Sequence, residues 1–412
     1  MVQSTEILII GGGSAGIAAA VAASRSGVDV VLVERNTYLG GKATAAEVGT
    51  ICGLYVFSKQ KDPQIGVKGF AREFALRLQQ VSHSYPLSNS SGLHFLPYSV
   101  EGFKELSMNL MSHDKICLRM NSELKGLTFI GGEIREASVQ TEGHIDRIEC
   151  KSIIDCTGNG LVTVLAGSSL VPSNGMQAAA QVFTIANIQV DNEATLSFIL
   201  MRETAKGISE GKLESFFDRV YVVPGSLKDG SAQLKMAIPI PVTSNNHFEL
   251  REKAVAIIDE LMYFLRSNCT TFKESRIVRI ADEVGIRTED RPLGKYVLTE
   301  QDVLNSRKFE HAIANSFWPI EEWGQHRSVQ MKYSAEKEYY QIPAESLMSE
   351  DIPNLFFAGR GISADDKAIA SARVMGTCLQ TGYAAGKIAA AYLSGTDVSS
   401  AIQAIQEEQI FD

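Results

Sequence analysis

The chain opens on apolar runs that do not alternate with polar residues. Residues 5–10 (TEILII) and 28–34 (VDVVLVE) read as strands buried on both faces, the mark of a parallel sheet. Between them, 14–26 reads as a helix of small residues closed by Gly27. Strand, glycine turn, helix and strand in this order form a βαβ unit with a right-handed crossover. Helices are predicted at 67–81 and 99–112, with polar material at 88–91 between them. From Lys115 to Cys156, short apolar runs alternate with turns at Gly131-Gly132 and Glu142-Gly143, predicting a β-meander that ends in the strand SIIDCTG. The stretch 170–345 mixes strands (177–185, 233–239) with a helix at 250–267. A strand in PNLFFAGR, a long helix at 371–393 and an amphipathic helix over the last fifteen residues complete an α/β chain.

The densest chemical signal is Gly11-Gly12-Gly13-Ser14-Ala15-Gly16, a GxGxxG string between the first strand and its helix. Gly11 permits the tight turn, Gly13 lets the backbone approach a pyrophosphate, and Gly16 lets helix and strand pack closely. The helix N-terminus offers free N–H groups and the positive end of its dipole to the phosphates. Glu34, eighteen residues beyond Gly16, ends the second strand, where a carboxylate can accept from ribose hydroxyls.

After that strand the chain reads Glu34-Arg35, then Tyr38-Leu39-Gly40-Gly41-Lys42-Ala43-Thr44. This segment resembles flavoproteins of the glutathione reductase-like superfamily. A second match is Ile153-Ile154-Asp155-Cys156-Thr157-Gly158-Asn159-Gly160, and a third is Asn354-Leu355-Phe356-Phe357-Ala358-Gly359-Arg360 with the helix beyond it. Together, over 5–393 and including 286–291 (IRTEDR) and 294–299 (GKYVLT), they resemble the FAD-dependent oxidoreductase family distantly related to fumarate reductase flavoproteins.

The resemblance implies a glutathione reductase-like, Rossmann-type FAD-binding domain built from 1–168 and 341–412, with an inserted α+β substrate or cap domain at 169–340. It implies FAD contacts at Gly11, Gly13, Ser14, Ala15, Gly16, Glu34, Arg35, Gly40, Gly41, Lys42, Thr44, Leu124, Thr157, Gly158, Gly359, Arg360, Val374 and Met375. No histidine lies between Gly40 and Leu76, so the flavin is expected to be non-covalent. Two departures stand out. The usual TGDGD reads TGNGL here, and Arg360 stands where many flavoproteins carry an acid. Asp365 or Asp366 could supply that carboxylate to the ribityl chain, or form a solvated acidic loop.

Composition narrows the partners. A net charge of −9 over 412 residues argues against a nucleic-acid backbone and against a tRNA-modifying role. The six cysteines are scattered without a CxxC pair, which predicts reduced thiols, a cytoplasmic setting and no metal site. Cys52 has no nearby partner for dithiol chemistry. No signal peptide is read at the N-terminus and no run is apolar enough for a membrane span.

Candidate catalytic residues are few. Arg373, in SARVMG, resembles the arginine that meets the substrate carboxylate in fumarate reductase-type enzymes; a structural salt bridge is the alternative. Arg287 and Arg291 could clamp an anion or pair with Asp282, Glu283, Glu289 or Asp290. Trp318, Trp323, His326, Tyr339 and Tyr340 could line an apolar pocket or belong to the core. His326 and His311 are general-base candidates by residue type. The expected reaction is hydride transfer between a small anionic substrate and flavin N5. A flavin monooxygenase or halogenase, and a non-catalytic FAD-binding assembly factor, are the rivals. With no second GxGxxG unit, electrons come from the substrate, free NAD(P)H or a redox partner protein; a homo-oligomer stays open.

Overall fold

The two first apolar runs pair in parallel as β1 (Val2–Ile10) and β2 (Val30–Val33), with Ile7 opposite Val30 and Ile10 opposite Val33. Ile7, Leu8 and Ile9 expose no surface, as strands covered on both faces require. The structure, a computed structural model, describes residues 2–60, 62–173, 177–243, 246–324 and 329–410. The crossover helix α1 spans Ser14–Arg25, and α2 (Gly69–Ser82) and α3 (Val100–Met111) fall within two residues of their predicted bounds. The next strand, β3 (Ile116–Arg119), pairs parallel with β2. The expectation of a meander from Lys115 is corrected there: these residues satisfy the open edge of β2, and Asn121 (φ +52°) then turns the chain. The meander proper is β4 (Ser122–Ile130), β5 (Glu133–Thr141) and β6 (His144–Asp155), all antiparallel. From Arg147 onward β6 also pairs parallel with β1, joining the meander to the core.

A second, antiparallel sheet comes from the middle of the chain. Its strands are β7 (Ala180–Ala186), β8 (Val220–Val222), β9 (Ala232–Ala237) and β10 (Arg276–Ile280), in the order β8-β9-β7-β10. Helices α4 (Glu193–Ser209) and α5 (His247–Asn268) contribute to its core, where Leu196 and Ile257 meet Phe183, Leu234 and Met236. Strand alternation sends Leu234 and Met236 into that core and leaves Gln233 and Lys235 on the other face.

The chain then returns to the parallel sheet. Strand β11 (Leu355–Phe357) pairs with the end of β6, Phe357 opposite Asp155. The single helix expected at 371–393 is two, α6 (Asp366–Ala372) and α7 (Met375–Ser394), because Val374 is extended (φ −70°, ψ 150°). Helix α7 crosses α1 with backbones in contact. A Cβ on Gly382 would lie 2.1 Å from the Ala15 carbonyl oxygen, and one on Gly386 2.4 Å from that of Ala19. That contact explains why both helices are rich in alanine and glycine. The last helix, α8 (Val398–Gln409), packs on α7. Among the described residues no helix is long and apolar enough to cross a membrane.

Candidate functional site

The loops after the carboxyl ends of β1, β2, β6 and β11 converge on one cavity of about 600 Å³, the place where open parallel sheets bind ligands. Gly11 turns at φ +102°, and a Cβ there would sit 2.7 Å from the Cys156 carbonyl oxygen. Helix α1 begins without a capping side chain, and Gly13, Ser14 and Ala15 line the cavity. Gly13 itself has an ordinary backbone (φ −75°, ψ −176°). Among the described residues an added Cβ would meet only Gly41 Cα, at 3.8 Å. What Gly13 supplies is therefore space. Gly40 N donates to Gly12 O (2.9 Å), tying the two glycine turns together. Glu34 is buried and accepts from Gly12 N (2.7 Å) and Asn36 N (2.8 Å). Burial pushes its carboxyl above the usual range, against those two donors.

The cavity wall next to this turn is a three-membered ion network. Glu283 accepts from Lys42 Nζ (2.7 Å) and from Arg35 (2.6 Å). Burial opposes its ionisation, but Lys42 and Arg35 outweigh it and hold the carboxyl down to about 2. Across from it, Arg360 donates to Ile286 O (2.6 Å) and fills the space over Gly158, where a Cβ would lie 2.7 Å from Nη2.

The far end of the cavity is richer in charge than its surroundings can balance. Lys235, Arg287 and Arg373 line it with Glu321, Trp318, Trp323 and Cys52. Both indoles donate to Glu321, Trp318 Nε1 to Oε2 and Trp323 Nε1 to Oε1, each at 2.9 Å. Arg373 Nη2 donates to Gln177 Oε1 (3.2 Å) and Glu321 O (3.1 Å), while its buried Nε has no partner among the described residues. Arg287 donates to Ala178 O and stacks 4.2 Å from the Trp323 ring centre. Burial and the neighbouring Arg373 pull Arg287 down to about 9, still protonated at neutral pH. Burial also pulls Arg373 below its ordinary value, with Glu321 opposing. Glu321 resists burial because Arg373, the Trp318 indole, Lys235 and Arg287 hold its carboxyl below the usual range. Among the described residues, three basic side chains thus gather round one carboxylate.

The model of the FAD-dependent oxidoreductase family matches residues 6–409, nearly the whole chain. The chain belongs to that family. Solved structures agree on the fold. A geranylgeranyl bacteriochlorophyll reductase-like protein from Thermoplasma acidophilum is similar at TM-score 0.50 and 12% identity, covering 99% of this chain and 83% of that one. The OxyS anhydrotetracycline hydroxylase from Streptomyces rimosus is similar at TM-score 0.52 and 12% identity, covering 98% and 66%. No curated protein is close enough in sequence to match.

The open space over Gly13, the uncapped start of α1 and the buried Glu34 suit the FAD on which this oxidoreductase family depends. Most expected contacts reach the cavity: Gly11, Gly13, Ser14, Ala15, Glu34, Arg35, Gly40, Gly41, Lys42, Leu124, Thr157, Gly158, Gly359, Arg360, Val374 and Met375. Gly16 and Thr44 stand behind its wall. A Cβ on Gly16 would lie 1.8 Å from Gly11 O, and Thr44 Oγ1 donates to Leu39 O (2.8 Å), holding the second glycine turn. Arg287 and Arg373 line the cavity, but Arg291 does not. Its guanidinium is buried and consumed by Ala364 O (2.7 Å), Glu289 O (2.8 Å) and Asp366 (2.7 Å), so the clamp expected of it is withdrawn. Asp366 pairs with that arginine and Asp365 caps α6, so neither carboxylate faces the cavity. His311 pairs with Glu345 (2.5 Å) away from the cavity; Tyr339, packed on Phe317, and Tyr340, bonded to Ser371, do not line the cavity either; and His326 lies outside the described residues. Lys235, Glu321 and the pairing of Glu283 with Lys42 escaped the sequence reading. The one local hint was a pair of acids between two tryptophans, WPIEEW.

Proposed function

We propose that this flavoprotein transfers hydride between FAD and a small organic anion, using a glutathione reductase-like cofactor domain and the segment 169–340 as its substrate domain. One observation carries the reading: among the described residues, Arg287 and Arg373 gather about a single carboxylate, Glu321, in the cavity that also contains the glycine turns. Buried charge without a counter-ion is costly, so an anionic ligand completes the site. Bound FAD supplies a hydride-accepting N5. The backbone at Gly13, Ser14 and Ala15 takes the pyrophosphate, Glu34 the ribose, and Lys42 and Arg360 the adjoining wall. Arg373, with its Nε unpartnered, and Arg287 take the substrate carboxylate in charge-assisted hydrogen bonds. Glu321, pinned by two indoles, keeps Arg373 in place.

Anaerobic mixing of the flavin-loaded protein with a panel of small carboxylates and their matched amides tests this. Bleaching near 450 nm is expected with a carboxylate and not with its amide; equal response to both, or none, defeats the reading. Hydroxylation, the activity named for the Streptomyces rimosus neighbour, is the competing reaction. It would instead show NAD(P)H and O₂ consumed together with substrate.

A further inference from the structure

Lys235 is a basic side chain at this end of the cavity that the described residues leave without a polar partner. Among the described residues its Nζ makes no hydrogen bond or ion pair, and it lies 5.1 Å from the Trp323 ring centre. Its strand fixes the direction. Leu234 and Met236 are anchored in the core of the second sheet, so Lys235 projects into the cavity. The charged and titratable groups facing it are Arg287, Arg373, Glu321 and Cys52. Burial and the two arginines pull the amine below its ordinary value, and Glu321 offsets this in part. The same environment favours the unprotonated amine relative to a free lysine, and an unprotonated amine with a free lone pair is a base.

We infer that Lys235 accepts the proton when the site oxidises a carboxylate whose reacting carbon bears a hydroxyl or amino group. This rests on the hydride-transfer reading above and narrows its substrate. The C–H hydrogen leaves with its electron pair to oxidised FAD, and the C–O or C–N bond becomes double. The O–H or N–H proton passes to Lys235 Nζ, which later releases it to water. The substrate loses two electrons and two hydrogens, and both are accounted for. An alkyl C–H is far too weak an acid for this amine, whereas a hydroxyl or amino proton becomes acidic as hydride departs.

Competitive labelling of the flavin-loaded protein with acetic anhydride across the alkaline range reads Lys235 without any substrate. Its midpoint is expected below that of a free lysine side chain; an ordinary midpoint overturns the inference. Anaerobic reduction by 2-hydroxy and 2-amino carboxylates is then compared in wild type, Lys235→Met and Lys235→Arg. Both variants are expected to keep flavin and carboxylate affinity. Each should reduce flavin more slowly by on the order of 10²- to 10⁴-fold and lose the limb that rises with pH. Rescue by arginine, or weaker binding at an unchanged limiting rate, makes Lys235 an anion-holding cation and overturns its role as base. If no member of the panel reduces wild-type flavin while the labelling midpoint stays low, the hydride-transfer reading fails and takes this inference with it.

Discussion

Gly13→Val separates the cofactor cradle from the fold. The backbone at Gly13 is extended and open to any residue, and among the described residues the sole atom within 4 Å of an added Cβ is Gly41 Cα at 3.8 Å. The valine side chain therefore enters the cavity and not the protein. The cofactor-free variant should lose about 1 kcal/mol, the effect of a poorer residue at the start of α1. FAD suffers far more. Holding the pyrophosphate off the helix N-terminus removes two charge-assisted hydrogen bonds of about 1.5–3 kcal/mol each. That weakens binding by about 3–6 kcal/mol, or roughly 10²- to 10⁴-fold in Kd. Gly16→Ala is the mirror case: its Cβ would sit 1.8 Å from Gly11 O, so strand and helix must part. It should destabilise the cofactor-free protein itself. Flavin-to-protein ratio after purification, calorimetric titration of FAD into cofactor-free protein, and thermal melts without flavin distinguish the two. A Gly13→Val protein that binds FAD like wild type would refute the cradle assignment. One that fails to fold would refute the argument from open space.

Arg373→Lys keeps the charge but cannot serve Gln177 Oε1, Glu321 O and a carboxylate in one planar fork. Normal flavin content with kcat/KM lowered by about 2–4 kcal/mol, roughly 30- to 1000-fold, is expected, and unchanged turnover would remove Arg373 from the site. Glu283 is held down to about 2 by Lys42 and Arg35. A depressed carboxyl stabilises the fold fully above its unfolded value, about 4.3, and the benefit is lost as pH falls from there through the folded value. Glu283→Gln should therefore lower the melting temperature of cofactor-free protein at neutral pH and flatten its decline under acid; parallel declines in both proteins would count against the network.

The parallel core was legible because burial on both faces writes continuous apolar runs, as at Ile7–Ile10 and Val30–Val33, and because the glycine string follows the first of them. The alternation that orients Lys235 was present as well, but nothing local says that the wet face of β9 looks into a cavity. Arg287 and Arg291 look alike in sequence. Their fates are set by Trp323 and Asp366, which only tertiary structure brings beside them. For the same reason β3 passed as meander: ICLR encodes a strand but not its partner, and the open edge of β2 decides it. The break at Arg373-Val374 left no trace because the residues around it favour helix, and extended backbone at Val374 overrides them.

A crystal structure of the flavin-loaded protein tests most directly that one cavity serves both cofactor and substrate. Non-covalent FAD should lie with its pyrophosphate over Gly13 and Ser14, its ribose at Glu34 and its isoalloxazine ring toward Arg373, Arg287 and Lys235. A flavin bound in the reverse sense, or seated outside this cavity, would contradict the account.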